Sequence, residues 1–302
     1  MKTVLSTFRN VQWIAIVVLL ASAIPVARGA EPPRIVSTDG TTTETLFALG
    51  AGEYVVARDS GSLYPAEAAK LPDIGTGHQL NAEAIIAQKP TLIIGKDRDM
   101  SKPGFQILES TGAEVVRLSA DASVDAAKEN IRAVAKLVGK EAEGETLVKT
   151  IDDDLAALAK HMEGLGDVPK PRVLMLYLRP GTALLLGNDS NAAAMAKLAG
   201  ANYALSVKGY RNLNPEALVA AQPDVYLCFT SGLDAVGGVD AFLEQPGIAE
   251  TPGGKSKRVI AMDDLLLGGF GPRLGKAALE LFDALHHKQG VYVAKHDHTP
   301  GT

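Results

Sequence analysis

Glu141-Ala-Glu-Gly-Glu-Thr-Leu-Val-Lys-Thr-Ile-Asp-Asp-Asp-Leu-Ala-Ala-Leu-Ala-Lys-His-Met162 lies near the middle of the chain. Its apolar residues Leu147, Ile151, Leu155, Leu158 and Met162 are spaced 4, 4, 3 and 4, which is one stripe on a 3.6-residue period. Asp152, Asp153 and Asp154, with Lys149 and Lys160, fall largely off that stripe. Gly164, Gly166 and Pro169 stop the helix. Strand-and-helix patterning flanks it, and the two flanks resemble each other. The stretch therefore reads as a stiff spine between two lobes.

The likeness of the flanks is specific. Leu80-Asn-Ala-Glu-Ala-Ile-Ile-Ala-Gln-Lys-Pro-Thr-Leu-Ile-Ile94 matches Leu213-Asn-Pro-Glu-Ala-Leu-Val-Ala-Ala-Gln-Pro-Asp-Val-Tyr-Leu227. Asn81 and Asn214 are equivalent helix caps, Glu83 and Glu216 equivalent first-turn acids, and Pro90 and Pro223 equivalent stops before a strand. A single helix–Pro–strand unit recurs by chance in many α/β proteins. Two copies sharing cap, acid and stop point to duplicated lobes.

Before the spine, strands are expected at Arg34–Val36, Tyr54–Ala57, Leu92–Ile94 and Val115–Leu118. Helices are expected at Thr41–Leu49, from the Asn81 cap to Gln88, at Phe105–Thr111 and at Val124–Val138. This alternation implies a parallel sheet covered by helices. After the spine, Val173–Leu178, Val225–Phe229 and Val259–Ala261 read as strands. Ala192–Ala199, Asn214–Ala221 and Leu274–His286 read as helices. The expected fold class is thus α/β: two Rossmann-like lobes, each with a central mostly parallel sheet, joined by one long helix. The expected divisions are 1–30 as a signal peptide, 31–140 as the first lobe, 141–164 as the link, 165–287 as the second lobe and 288–302 as a loose tail.

A chain of 302 residues, 46% hydrophobic and 22% charged, suffices for two folded lobes. Its net charge of −5 gives no electrostatic case for nucleic acid or an anionic membrane as the main partner. Cys228 is the one cysteine, so there is no internal disulfide and no cysteine-based metal cluster. Its apolar setting in Val225–Phe229 makes it a buried, inert thiol. Lys2 and Arg9 followed by the apolar run Val11 to Val26 have the form of an export signal, with cleavage after Gly29 or Ala30. The mature protein is expected to be soluble in an extracytoplasmic space and monomeric.

Enzyme signatures are missing from the sequence: no Gly-x-Gly-x-x-Gly follows a strand, and neither a Walker loop nor a Gly-x-Ser-x-Gly elbow occurs. His296-Asp-His298 has a metal-binding look but falls in the tail. Two lobes, a stiff link and an export signal favour a binding protein with its ligand in the interlobe cleft.

Arg34-Ile-Val-Ser37 with Thr43-Glu-Thr-Leu-Phe-Ala-Leu-Gly50, Tyr64-Pro65 with Leu71-Pro-Asp-Ile-Gly75, and Leu80-Asn-Ala-Glu83 resemble helical-backbone (class III) periplasmic substrate-binding proteins. These deliver haem, cobalamin or ferric siderophores to ABC importers. Asp59-Ser-Gly-Ser-Leu-Tyr64-Pro65 and Asp263-Asp-Leu-Leu-Leu-Gly-Gly-Phe-Gly-Pro-Arg273-Leu are most similar to the haemin-binding members. The resemblance implies haem as the transported ligand and Tyr64 as its axial iron ligand, a phenolate being a hard base suited to ferric iron. His78 and Arg211 stand at equivalent places two residues before Leu80 and Leu213. They and Arg179 are candidates for the haem propionates, and His78 also for the distal face. Relatives commonly have arginine near His78, and some have a basic residue near Ser231 that supports the tyrosinate. By the same resemblance, Glu83 and Glu216 dock onto arginines of a permease dimer. The alternatives are a siderophore or cobalamin carrier on the same fold, and an enzyme on a duplicated α/β scaffold.

Overall fold

Short, largely apolar strands set the architecture of the computed structural model, which describes residues 32–76, 79–97, 108, 112–286 and 289–294. The strands before the spine are β1 (Ile35–Ser37), β2 (Val55–Arg58), β3 (Gly75–Thr76), β4 (Gln79–Leu80), β5 (Leu92–Lys96) and β6 (Glu114–Leu118). Among the described residues the main sheet has the order β2-β1-β5-β6 and is parallel throughout. Ile35, Val36, Ile93 and Ile94 are fully buried, as expected of parallel strands covered on both faces. β3 and β4 form a separate antiparallel pair. The helix Gly40–Ala48 follows β1 and is capped by Asp39, whose carboxylate accepts from Thr42 N at 3.0 Å. Apart from Leu108, the expected helix Phe105–Thr111 lies outside the described residues.

The spine runs from Glu141 to Gly164 and buries Gly144, Val148, Ile151 and Leu158. Gly144 permits close approach to the helix Val124–Leu137, because a Cβ there would stand 2.6 Å from that of Ala135. Leu147 packs against the apolar cores of both lobes. One helix therefore holds two cores in register.

After the spine come β7 (Arg172–Arg179), β8 (Thr182–Leu186), β9 (Asn202–Tyr203), β10 (Tyr210–Asn212), β11 (Val225–Phe229), β12 (Val259–Met262) and β13 (Tyr292–Val293). The order is β10-β8-β7-β11-β12-β13, with β9 beside β7. The run from β7 to β13 is parallel, whereas β8 and β10 are antiparallel additions. Of the tail expected from residue 288, residues 289–294 are described, and part of them is a strand. Tyr292–Val293 extends the sheet, Tyr292 Oη donates to Glu280 at 2.8 Å, and Ala294 is buried. Exposure alternates along Val291-Tyr-Val-Ala294, with Val291 and Val293 outward and Tyr292 and Ala294 inward.

The duplicated units fold alike. Asn81 accepts from Ala84 N at 3.0 Å; Asn214 accepts from Glu216 N and Ala217 N at 2.8 and 3.2 Å. Lys89 and Gln222, each just before its proline, both take left-handed backbone with φ of 49° and 44°. Burial pushes the Cys228 thiol up to about 12, in keeping with an inert core residue. No helix among the described residues is long and apolar enough to cross a membrane.

Candidate functional site

Ligands bind outside the carboxyl ends of strands in open parallel sheets. In the first lobe those ends lead to Asp39 and Gly40 after β1, to the Asp59–Tyr64 loop after β2, and to Lys96 itself at the end of β5. In the second lobe they carry Tyr177 and Arg179 on β7, Phe229 and Ser231 at the end of β11, and Asp263 and Asp264 after β12. The two edges share a cavity of about 230 Å³. Asp39, Thr41, Gly61 and Lys96 line it from one lobe, and Asn191, Asp264 and Gly269 from the other. A neighbouring cavity of about 320 Å³ shares Asn191 and Gly268 with it and continues past Tyr210 and Phe229.

The Tyr64 loop is held by hydrogen bonds that start at Asp59. Its carboxylate accepts from Gly61 N at 2.9 Å and from Ser62 Oγ. Ser62 Oγ lies 2.7 Å from Thr43 Oγ1, which lies 2.8 Å from Ser37 Oγ. The loop is thereby tied to the helix Gly40–Ala48 and to β1. Burial raises the Asp59 carboxyl to about 6, against the lowering effect of Ser62 and Gly61.

Tyr64 is half-buried, and the guanidinium of Arg273 covers its ring at 3.6 Å from the centroid. The same guanidinium forks onto Glu44, with Nε–Oε1 at 2.5 Å and Nη2–Oε2 at 3.0 Å. Burial holds the Glu44 carboxyl above the usual carboxylate range although Arg273 pulls it down. Arg273 and Glu44 come from opposite lobes, so the ion pair joins them.

Tyr177, Tyr210 and Phe229 form an aromatic wall in the second lobe. The Tyr177 ring meets Tyr210 edge-on at 5.6 Å and Phe229 at 6.4 Å. Arg179 stacks on Tyr177 at 4.1 Å and donates to its hydroxyl. Arg211 is exposed and lines a separate cavity of about 130 Å³ with Leu174 and Leu185, away from the wall to which its neighbour Tyr210 belongs. Ser231 Oγ donates to Asp264 at 2.5 Å, and burial raises the Asp264 carboxyl. Glu83 and Glu216 are exposed in the first turns of their helices. His78 lies outside the described residues.

Sequence reasoning missed Arg273, Glu44 and the wall. Arg273 and Glu44 both lay inside motifs quoted for the resemblance, but they pair across 229 positions. Tyr177 and Arg179 were legible in principle, because residues two apart on a strand share a face.

Residues 35–266 match the periplasmic binding protein family. The periplasmic heme-binding protein RhuT from Roseiflexus sp. RS-1, solved in apo form, superposes with a TM-score of 0.79 and 38% identity, over 84% of this chain and 98% of that one. The ABC transporter substrate-binding lipoprotein YvrC of Bacillus subtilis is 27% identical over 85% of this chain and 81% of its own length. The vitamin B12-binding protein of Pectobacterium atrosepticum is 23% identical over 92% and 96%.

Proposed function

Because the chain belongs to the periplasmic binding protein family, we propose that it carries haem across the periplasm to an ABC importer. The observation that supports this reading is the cleft itself. A tyrosine stacked under an arginine stands at one edge, and an aromatic wall stands at the other. A flat, conjugated macrocycle suits such a wall, and ferric iron suits a phenolate. Tyr64 is the axial ligand in this reading. Arg179 meets one propionate and His78 is the further propionate contact, whereas Arg211, which lines a separate cavity, is left out of the site. Glu83 and Glu216 dock the loaded protein onto a permease dimer, one acid from each lobe. The segment 1–30 directs export. The B12-binding relative supports cobalamin as the second reading, with Tyr64 then lining the cleft rather than binding metal.

Titrating the purified protein with ferric haem and, separately, with cyanocobalamin separates the two readings. Haem carriage predicts one haem per chain and a tyrosinate-type charge-transfer band that vanishes in Tyr64→Phe. Uptake of cyanocobalamin without haem, or an unchanged band in Tyr64→Phe, overturns the first reading.

A further inference from the structure

One guanidinium joins the two lobes to the proposed iron ligand. Arg273, at the entrance to the last long helix of the second lobe, forks onto Glu44 of the first lobe while covering the Tyr64 ring. The seam around it is close and largely backbone. Thr41 Oγ1 and Lys96 Nζ both donate to the carbonyl of Gly269, at 3.1 and 2.7 Å. Gly271 packs so tightly on the first lobe that a Cβ there would stand 2.8 Å from Thr41 Cγ2. A cation over a ring face attracts it more strongly the less water is present. A planar fork held at two points has little freedom to follow a third group. Glu44 and Tyr64 both belong to the first lobe, so separating the lobes draws Arg273 off the Tyr64 ring and strips it from the buried Glu44 together, leaving that acid without its cation.

We propose that Arg273 is a positioning residue that makes the grip of Tyr64 on its ligand depend on contact between the lobes. This inference rests on the reading of Tyr64 as an iron ligand. With the seam closed, Arg273 fixes the ring and sets a positive charge beside the ligating oxygen. With the seam opened, that charge withdraws and the ligand is released.

The test is the rate at which ferric haem leaves the full-length protein for excess apomyoglobin, read with the charge-transfer band, while thermal melting confirms folding. Arg273→Gln is expected to release haem about tenfold faster and to shift the band, and Arg273→Lys, which keeps the charge but loses the fork, to fall between. Glu44→Gln still offers an oxygen to Arg273 and is expected to keep the band. Gly271→Ala acts as a wedge in the seam and is expected to speed release roughly threefold to tenfold, with no added effect in an Arg273→Gln background. Equal acceleration by the wedge in both backgrounds, or no acceleration in the otherwise native chain, overturns the inference while leaving Tyr64 as ligand. A Tyr64→Phe protein that keeps its band and its release rate removes the ligand reading and this inference with it.

Discussion

Asp59 is 7% exposed, and its carboxyl is raised from 3.8 to about 6. Burial is the main cause, because the charged form loses water that Ser62 and Gly61 only partly replace. Between these two values the folded chain holds a proton that the unfolded chain has released, so stability falls as pH rises. The contribution is complete below the unfolded value and is gone above about 6. A shift of this size is worth about 3 kcal/mol. Urea unfolding of the native chain and Asp59→Asn at pH 3.5 and pH 7 checks it. The native chain is expected to lose about 3 kcal/mol relative to the variant over that range, since asparagine does not titrate. Parallel stability curves for the two proteins would contradict the assignment. The role of Asp59 in holding the Tyr64 loop was legible only as a motif, because Thr43 and Ser37, to which Ser62 links it, are brought up by tertiary packing.

The two copied helices show which elements a sequence announces. Asn81 and Asn214 satisfy backbone donors within three residues of themselves, and Pro90 and Pro223 act on their immediate neighbours. Such signals are local and were read correctly. Asn214 takes two N–H groups, Asn81 one. Asn81→Ala and Asn214→Ala are each expected to cost about 1 kcal/mol, with Asn214 the costlier, measured by urea denaturation. Equal losses, or none, would mean that packing rather than capping fixes these helix starts. The antiparallel strands β8 and β10 were not read, because their pairing is decided by β7 and by each other, not by a local signal. Short helices such as Thr230–Ala235 and Gly238–Leu243 lack room for a helical period to emerge.

At the scale of the molecule, duplication was legible from the repeat, and the spine from its stripe. Of the groups at the proposed cleft, Tyr64 and Arg179 were named from the sequence. Tyr64 stood in a motif, whereas Arg273 with Glu44, and Tyr177 with Phe229, meet through the fold. The proposed docking belongs to this scale, because it requires Glu83 and Glu216 as a pair presented by two lobes. Charge-assisted pairs with permease arginines are worth about 1.5–3 kcal/mol each. The double variant Glu83→Ala, Glu216→Ala is expected to bind haem normally and to transfer it to a reconstituted transporter at least tenfold more slowly. Normal transfer by the folded variant would rule docking out, and lost haem binding would move these acids into the pocket. One edge of the larger sheet has a consequence of another kind. β10 closes that sheet among the described residues, and all three of its residues are exposed. An open strand edge is a template on which a second chain can add itself. Arg211 sits at the centre of that edge, and its charge opposes such stacking whatever it does for a ligand. A variant without it would then lose solubility through self-association, and its poor behaviour in a binding assay would say nothing about haem.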